Sequence, residues 1–290
     1  ITVNDTTAPT ANAGPDQSVD EDTLVTFDGS GSTDNVGVDN YTWTFDDGGA
    51  QTLWGVGPSY TFNTPGLYNV TLNVTDAASN WAIDWVEITV NDTTAPTVDA
   101  GPDQSVDEDT LVTFDGSGST DNVGVDNYTW TFDDSGTQYL YGVGPTYTFN
   151  TPGLYNVTLN VTDAAGNWAI DWVEITVNDT TAPTVDAGPD QSVDEDTLVT
   201  FDGSGSTDNV GVDNYTWTFD DGGAQTLWGV GPTYTFNTPG LYNVTLNVTD
   251  AAGNWAVDWV EITVNDTTAP TANAGPDQSV DEDTLVTFNG

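Results

Sequence analysis

Leu67-Tyr68-Asn69-Val70-Thr71-Leu72-Asn73-Val74-Thr75 alternates apolar and polar side chains with a period of two. That period predicts a strand with Tyr68, Val70, Leu72 and Val74 facing inward and Asn69, Thr71, Asn73 and Thr75 facing outward. Asn40-Tyr41-Thr42-Trp43-Thr44-Phe45 alternates in the same way, with Tyr41, Trp43 and Phe45 on one face. Trp81 to Val90 predicts a last strand whose buried side holds Val86, Ile88 and Val90, so that Trp81, Ile83 and Trp85 face out. Shorter strands are predicted at Leu24–Phe27 and Ser59–Phe62, with Trp54 in a loop before the second. Clusters of Gly, Pro, Asp and Asn (Asp28–Ser32, Asp46–Gly49, Asn63–Gly66) punctuate these runs, and no 3.6-residue period occurs. Short strands separated this way predict an all-β sandwich. Trp43, Phe27, Phe45, Tyr68 and Leu72 would supply much of its core, at roughly 1.5–3 kcal/mol for each large side chain fully buried.

The whole pattern recurs. Asn4-Asp5-Thr6-Thr7-Ala8-Pro9-Thr10 returns at Asn91, Asn178 and Asn265, each time 87 residues further on. The organisation predicted is therefore a linear array of sandwiches: the end of a preceding repeat (1–3), three repeats (4–90, 91–177 and 178–264), and a partial repeat (265–290) holding the linker and the first two strands. The first and third repeats differ at five positions, the first and second at eight. The partial repeat fits either a cut through a continuous array or strands passed between subunits. With no initiator Met and no signal peptide, the chain reads as a slice of a longer mature protein.

Composition narrows the function. Among 290 residues there is no Lys, Arg, His, Cys or Met, and the net charge is −46. Salt bridges are excluded, and nucleic acid or an anionic membrane is a poor partner for such a surface. No apolar run reaches the length of a membrane span. Without imidazole, thiolate or amine there is no ordinary general base or activated nucleophile, and the adjacent carboxylates Asp20-Glu21-Asp22 and Asp46-Asp47 repeat in predicted turns. No catalytic residue is expected. The acids are 39 Asp against 7 Glu, a bias toward the short carboxylate that serves turns and oxygen-ligated metal ions.

Three ordered motifs carry a resemblance: Gly29-Ser30-Gly31-Ser32-Thr33-Asp34, then Tyr41-Thr42-Trp43-Thr44-Phe45-Asp46-Asp47-Gly48, then Pro65-Gly66-Leu67 through Val74-Thr75-Asp76. Together they closely resemble the PKD (polycystic kidney disease) domain, with Asp46 standing where that family usually has Gly. The resemblance spans every full repeat. It implies tandem Ig-like, seven-stranded β-sandwich domains in an archaeal or bacterial extracellular or cell-surface protein.

In an Ig-like sandwich, the loop after the second strand, the loop before the last strand and the entry to the first strand share one pole. Here those segments carry Asp34, Asp76 and Asp5. Three oxygen-rich segments with no cation nearby suit a hard ion, and Ca2+ better than Mg2+. Calcium at this pole is also what the PKD resemblance implies, notably through its bacterial collagenase members. The expected ligands are Asp5, Asp34 and Asp76, then Asp92, Asp121 and Asp163, then Asp179, Asp208 and Asp250, with Asp39, Asp126 and Asp213 as second choices. Asp20, Glu21 and Asp22 of a preceding repeat would contribute across the joint. The alternative assignment for all of these carboxylates is turn formation alone.

Asn-x-Ser/Thr sequons are the other surface signal. They fall at Asn4, Asn40, Asn69 and Asn73, at Asn91, Asn127, Asn156 and Asn160, at Asn178, Asn214, Asn243 and Asn247, and at Asn265. They mark N-glycosylation or simply the Asn- and Thr-rich composition. The outward apolar side chains Trp81, Ile83 and Trp85, with Trp54, Tyr141 and Trp228, would cover glycans, pack against another array or shield an edge; the alternative is a twist that buries Trp81 locally. The function expected is a non-catalytic extracellular filament, stalk or surface fibre, its partners being copies of itself or neighbouring surface proteins and glycans. The competing reading is a spacer, adhesion or carbohydrate-binding segment of a larger secreted hydrolase or adhesin.

Overall fold

A computed structural model of the protein describes residues 3–288. The first repeat contributes β1 (Gln17–Asp20), β2 (Leu24–Thr26), β3 (Val38–Asp46), β4 (Ala50–Trp54), β5 (Ser59–Thr61), β6 (Gly66–Asp76) and β7 (Trp81–Asn91). The same seven strands recur between Gln104 and Asn178 and between Gln191 and Asn265. Five of them form one sheet in the order β1-β7-β6-β3-β4, and β2 pairs with β5 in a second sheet. The protein is thus a tandem series of Ig-like β-sandwiches. Its backbone divides into two compact units, Ile1–Val177 and Asn178–Gly290. No helix among the described residues is long and apolar enough to cross a membrane.

The alternating pattern sets the core. Val70, Leu72 and Val74 on β6 face Val86 and Ile88 on β7, all fully buried. Trp43 at the centre of β3 is also fully buried; its ring stacks on Phe27 at 5.2 Å, and its indole N–H donates to the Gly55 carbonyl at 3.0 Å. That hydrogen bond satisfies the one polar atom of a side chain otherwise suited to an apolar interior. Phe45, Tyr60, Phe62 and Tyr68 continue the cluster, with Tyr60 edge-on to Phe45 and Phe62 and the Phe45–Phe62 and Phe62–Tyr68 pairs tilted. Gly29 passes so close to it that a Cβ there would meet the Tyr41 and Trp43 rings at 3.0 and 3.2 Å.

The structure corrects the expected strands in three places. Gln17–Asp20, not expected as a strand, pairs in parallel with β7, Gln17 opposite Ile88 and Asp20 opposite Asn91. Ile88–Val90 therefore has a strand on either side, β6 and β1. Trp54 is not in a loop: it ends β4, which pairs with β3 in the register Thr42 opposite Trp54. The partial repeat holds no strand among residues 266–288. The reason is topological, because the partners of β1 and β2 are β7 and β5, which come 30 or more residues later in a repeat.

Beyond the β1 pairing, the first half of β7 is an edge, and carboxylates guard it. Asp84 accepts the Ala13 N–H at 2.8 Å, and Asp16 accepts the Glu87 N–H at 2.9 Å. Such charges at a free edge discourage pairing with another chain.

Candidate metal centre

Each repeat gathers three carboxylates at one pole. Asp5 comes from the entry segment, Asp34 from the turn before β3, and Asp76 from the last position of β6. One oxygen from each lies within 4.8 Å of the others, and the same holds for Asp92, Asp121 and Asp163 and for Asp179, Asp208 and Asp250. All nine first-choice residues are thus brought together in threes. The second-choice residues are not. Asp39 sits at the β-bulge between Val38 and Asn40, is exposed, and accepts the Asn40 side-chain amide at 3.0 Å. Asp126 and Asp213 make the same contact with Asn127 and Asn214.

Local hydrogen bonds fix each member. Asp34 Oδ2 accepts the N–H groups of Val36 and Gly37 at 2.8 and 2.9 Å, and these bonds hold its carboxyl below the usual aspartate range. Asp163 is buried. Burial alone would raise its affinity for a proton, yet donation from Asn167 and Gly166 lowers it overall. The Asn167 amide also reaches the Asp92 carbonyl at 3.3 Å, tying the entry segment to the last turn. Asp92 itself is pushed up, by burial first and then by the charges of Asp121, Asp163 and Glu21.

Two observations bear on whether a cation fits. Asp121 Oδ1 and Asp208 Oδ1 are buried and have no hydrogen-bond partner, although buried polar atoms normally find one. Three carboxylates at this separation also repel one another, by about 3 kcal/mol per pair at an effective dielectric near 20. An all-oxygen donor set of this kind suits Ca2+, which accepts six to eight irregularly placed oxygens.

Glu21, at the turn after β1, crosses from the first repeat into the second. Its Oε1 accepts the N–H groups of Thr93 and Thr94 at 3.0 and 2.9 Å and the Thr94 hydroxyl at 2.6 Å, while Oε2 accepts the Asn122 amide at 2.9 Å. Glu195 makes the equivalent contacts with Thr267 and Thr268. Glu21 therefore spans the joint as a hydrogen-bond acceptor and lies outside the carboxylate triad. Asp20 stays within its own sheet, accepting from the side-chain amide of Asn91, its register partner on β7, at 3.3 Å. Asp22 turns the chain at φ 61° and donates its N–H to the Phe62 carbonyl.

Of the sequon asparagines, Asn73, Asn160 and Asn247 are half-buried and the others are exposed. Trp81, Ile83 and Trp85 are exposed on the outer sheet face, each by about 60%. Trp54, Tyr141 and Trp228 are more exposed still.

The PKD domain pattern matches residues 6–90, 93–177 and 180–264. The chain belongs to the PKD domain family. Relatives that also match include the dyslexia-associated protein KIAA0319-like protein of Mus musculus, 30% identical over 243 residues, covering 73% of this chain and 22% of the relative. Chitinase A1 of Niallia circulans is 30% identical over 213 residues (69% and 30%). Exoglucanase B of Cellulomonas fimi is 29% identical over 303 aligned residues (94% and 27%). The chain thus spans less than a third of the length of these relatives. Among solved structures, the titin I-band fragment I67–I69 is 13% identical with a TM-score of 0.48, covering 90% of this chain and all of that one.

Proposed function

We propose that the chain is a non-catalytic structural segment of an extracellular protein, a filament, stalk or surface fibre built from near-identical PKD domains, with Ca2+ held at each carboxylate triad. The observation that carries this reading is the grouping of Asp92, Asp121 and Asp163 around an orphaned buried oxygen, immediately beside the Glu21 clasp that joins two repeats. A cation there would relieve the mutual repulsion and hold Asp92 and Asp121, the two residues next to the clasp, in place. N-glycans on the outward asparagines and lateral association with copies of the chain or with neighbouring surface proteins and glycans complete the reading.

Calorimetric titration of calcium into the chain, paired with thermal melting, tests it. Saturable binding with a raised melting temperature is expected, weakened in Asp121→Ala and Asp163→Ala. No binding at millimolar calcium would overturn it. The second reading is a spacer, adhesion or carbohydrate-binding segment of a larger secreted hydrolase or adhesin. It is favoured by the match to parts of a chitinase and an exoglucanase. Pull-down of the chain on insoluble chitin and cellulose separates the two.

A further inference from the structure

The outer face of the five-stranded sheet joins two features that the fold alone does not require. One is exposed apolar surface: Trp81, Ile83 and Trp85 on β7, recurring as Trp168, Ile170 and Trp172 and as Trp255, Val257 and Trp259. The other is the set of sequons within β3 and β6. The register interleaves them, with Asn69 opposite Glu87, Thr71 opposite Trp85, Asn73 opposite Ile83 and Thr75 opposite Trp81. Trp85 therefore pairs directly with the sequon threonine of Asn69 and is the diagonal neighbour of Asn69 itself, within reach of an aromatic side chain. Asn69, Thr71, Ile83, Asp84, Trp85 and Glu87 line a groove of about 640 Å³. The second repeat has the same groove between Asn156 and Trp172, and the third has the same register, with Thr245 opposite Trp259.

The structure also ranks the sequons. Asn40, Asn127 and Asn214 spend their amides on the adjacent aspartates. Asn91 and Asn265 donate to Ser and Asp side chains of their own sheets. Asn73 is half-buried, with its Oδ1 enclosed. Asn69, Asn156 and Asn243 are exposed, and among the described residues their side chains have no hydrogen-bond partner.

We propose that Asn69, Asn156 and Asn243 are N-glycosylated, and that the first sugars of each glycan lie against Trp85, Trp172 and Trp259. In the modification, the Asn Nδ2 attacks C1 of a lipid-linked oligosaccharide. The C1–O bond to the lipid phosphate breaks, the lipid phosphate leaves, and the amide nitrogen gives up one proton as the N-glycosidic bond forms. The occupant follows from chemistry. A pyranose ring offers an apolar face to the indole and hydroxyls to Thr71 and Glu87, the mixed contact that Trp surfaces favour. A second copy would instead meet like-charge repulsion at this face, since each chain carries −46 in all, which leaves association between copies to other faces. This inference rests on the extracellular assignment above.

The test is glycopeptide mass spectrometry on the full chain secreted from a host that performs N-glycosylation, followed by hydroxyl-radical footprinting before and after endoglycosidase treatment. Asn69, Asn156 and Asn243 should be occupied ahead of the other sequons on β3 and β6 and their equivalents. Trp85, Trp172 and Trp259 should lose protection when the glycans are removed, while Trp54 and Trp228 on the far edge strand change least. Asn69→Gln and Thr71→Ala should each expose Trp85 alone. Unmodified Asn69, Asn156 and Asn243, or occupied sites with Trp85 oxidised equally before and after treatment, would overturn the proposal. Neither result touches calcium binding, which is measured on unglycosylated chain; failure to secrete a folded chain would count against the extracellular reading itself.

Discussion

The Thr94 hydroxyl donates to Glu21 Oε1 at 2.6 Å, across the joint between two repeats. Glu21 is 8% exposed and is held from both sides: its own N–H donates to the Asn91 carbonyl, and its carboxylate takes four donors from the second repeat. Hydrogen bonds to a charged acceptor are roughly twice as strong as neutral ones. Because Asn122 follows Asp121, the same carboxylate steadies the neighbouring triad.

Glu21→Ala should therefore act at the second triad and spare the first. Losing the charge-assisted hydrogen bonds that Thr93, Thr94 and Asn122 donate to this carboxylate costs about 1.5–3 kcal/mol, to be read from chemical denaturation of the whole chain. Calcium affinity at Asp92-Asp121-Asp163 should fall while the Asp5-Asp34-Asp76 site is unchanged. Equal loss at both would mean that the clasp and the triad are not linked.

Asp121→Asn should separate charge from scaffold. An Asn carbonyl can still accept from Val123 and Gly124, so the turn survives, but one negative charge leaves the cluster. Without calcium the variant should be more stable than the parent; with calcium the order should reverse. If ten-fold saturation of the parent site adds about 1.4 kcal/mol, the reversal is visible in melting curves taken with calcium and with chelator. A variant less stable in both conditions would refute the repulsion argument.

Acid should loosen the turns and the joint together. Asp34, Asp163, Asp250 and Glu21 all have depressed carboxyl pKa values, chiefly through hydrogen bonds that favour the anion. A depressed folded-state value means stability that is complete above the unfolded value, near 4, and is lost as pH falls through the lower folded value. Asp92 has the opposite sign: it opposes folding once ionised, so its effect disappears in acid. Unfolding followed from pH 6 to pH 2 in chelator should show a net fall below about pH 4; no fall would show that these anions contribute nothing.

Alkali should find a second weak point. Tyr60 and Tyr68 both donate to Asp47, and burial followed by that carboxylate raises both phenols above the usual value of 10. A raised folded value means stability fully present below about pH 10 and lost as pH climbs through the folded value. Absorbance titration should resolve a late-ionising class of tyrosines that coincides with loss of tertiary signal, and Asp47→Asn should bring Tyr60 and Tyr68 forward while the equivalent pairs beside Asp134 and Asp221 stay late. Tyrosines titrating as a single ordinary group would overturn this.

The 87-residue repeat, the strand alternation in β3, β6 and β7, the core around Trp43 and the exposure of Trp81, Ile83 and Trp85 are all written in the sequence. They are local: a period of two and a turn cluster need only neighbouring residues to be read. Asp5, Asp34 and Asp76 were also legible as a group, because an Ig-like sandwich dictates which loops share a pole. What the tertiary structure decided was non-local. Gln17–Asp20 becomes a strand only because Ile88–Asn91 lies beside it, and the equivalent residues within 266–288, without such a partner, form none. Asp39 is diverted by a bulge that no spacing announces. The acidic run at Glu21 reads as reaching across the joint toward a metal, and that it does so as a hydrogen-bond clasp is decided only when Thr94 and Asn122, 73 and 101 residues away, close around it. Spacing in sequence carries the period of a strand, whereas hydrogen bonds between distant segments exist only once the backbone has brought their donors and acceptors together.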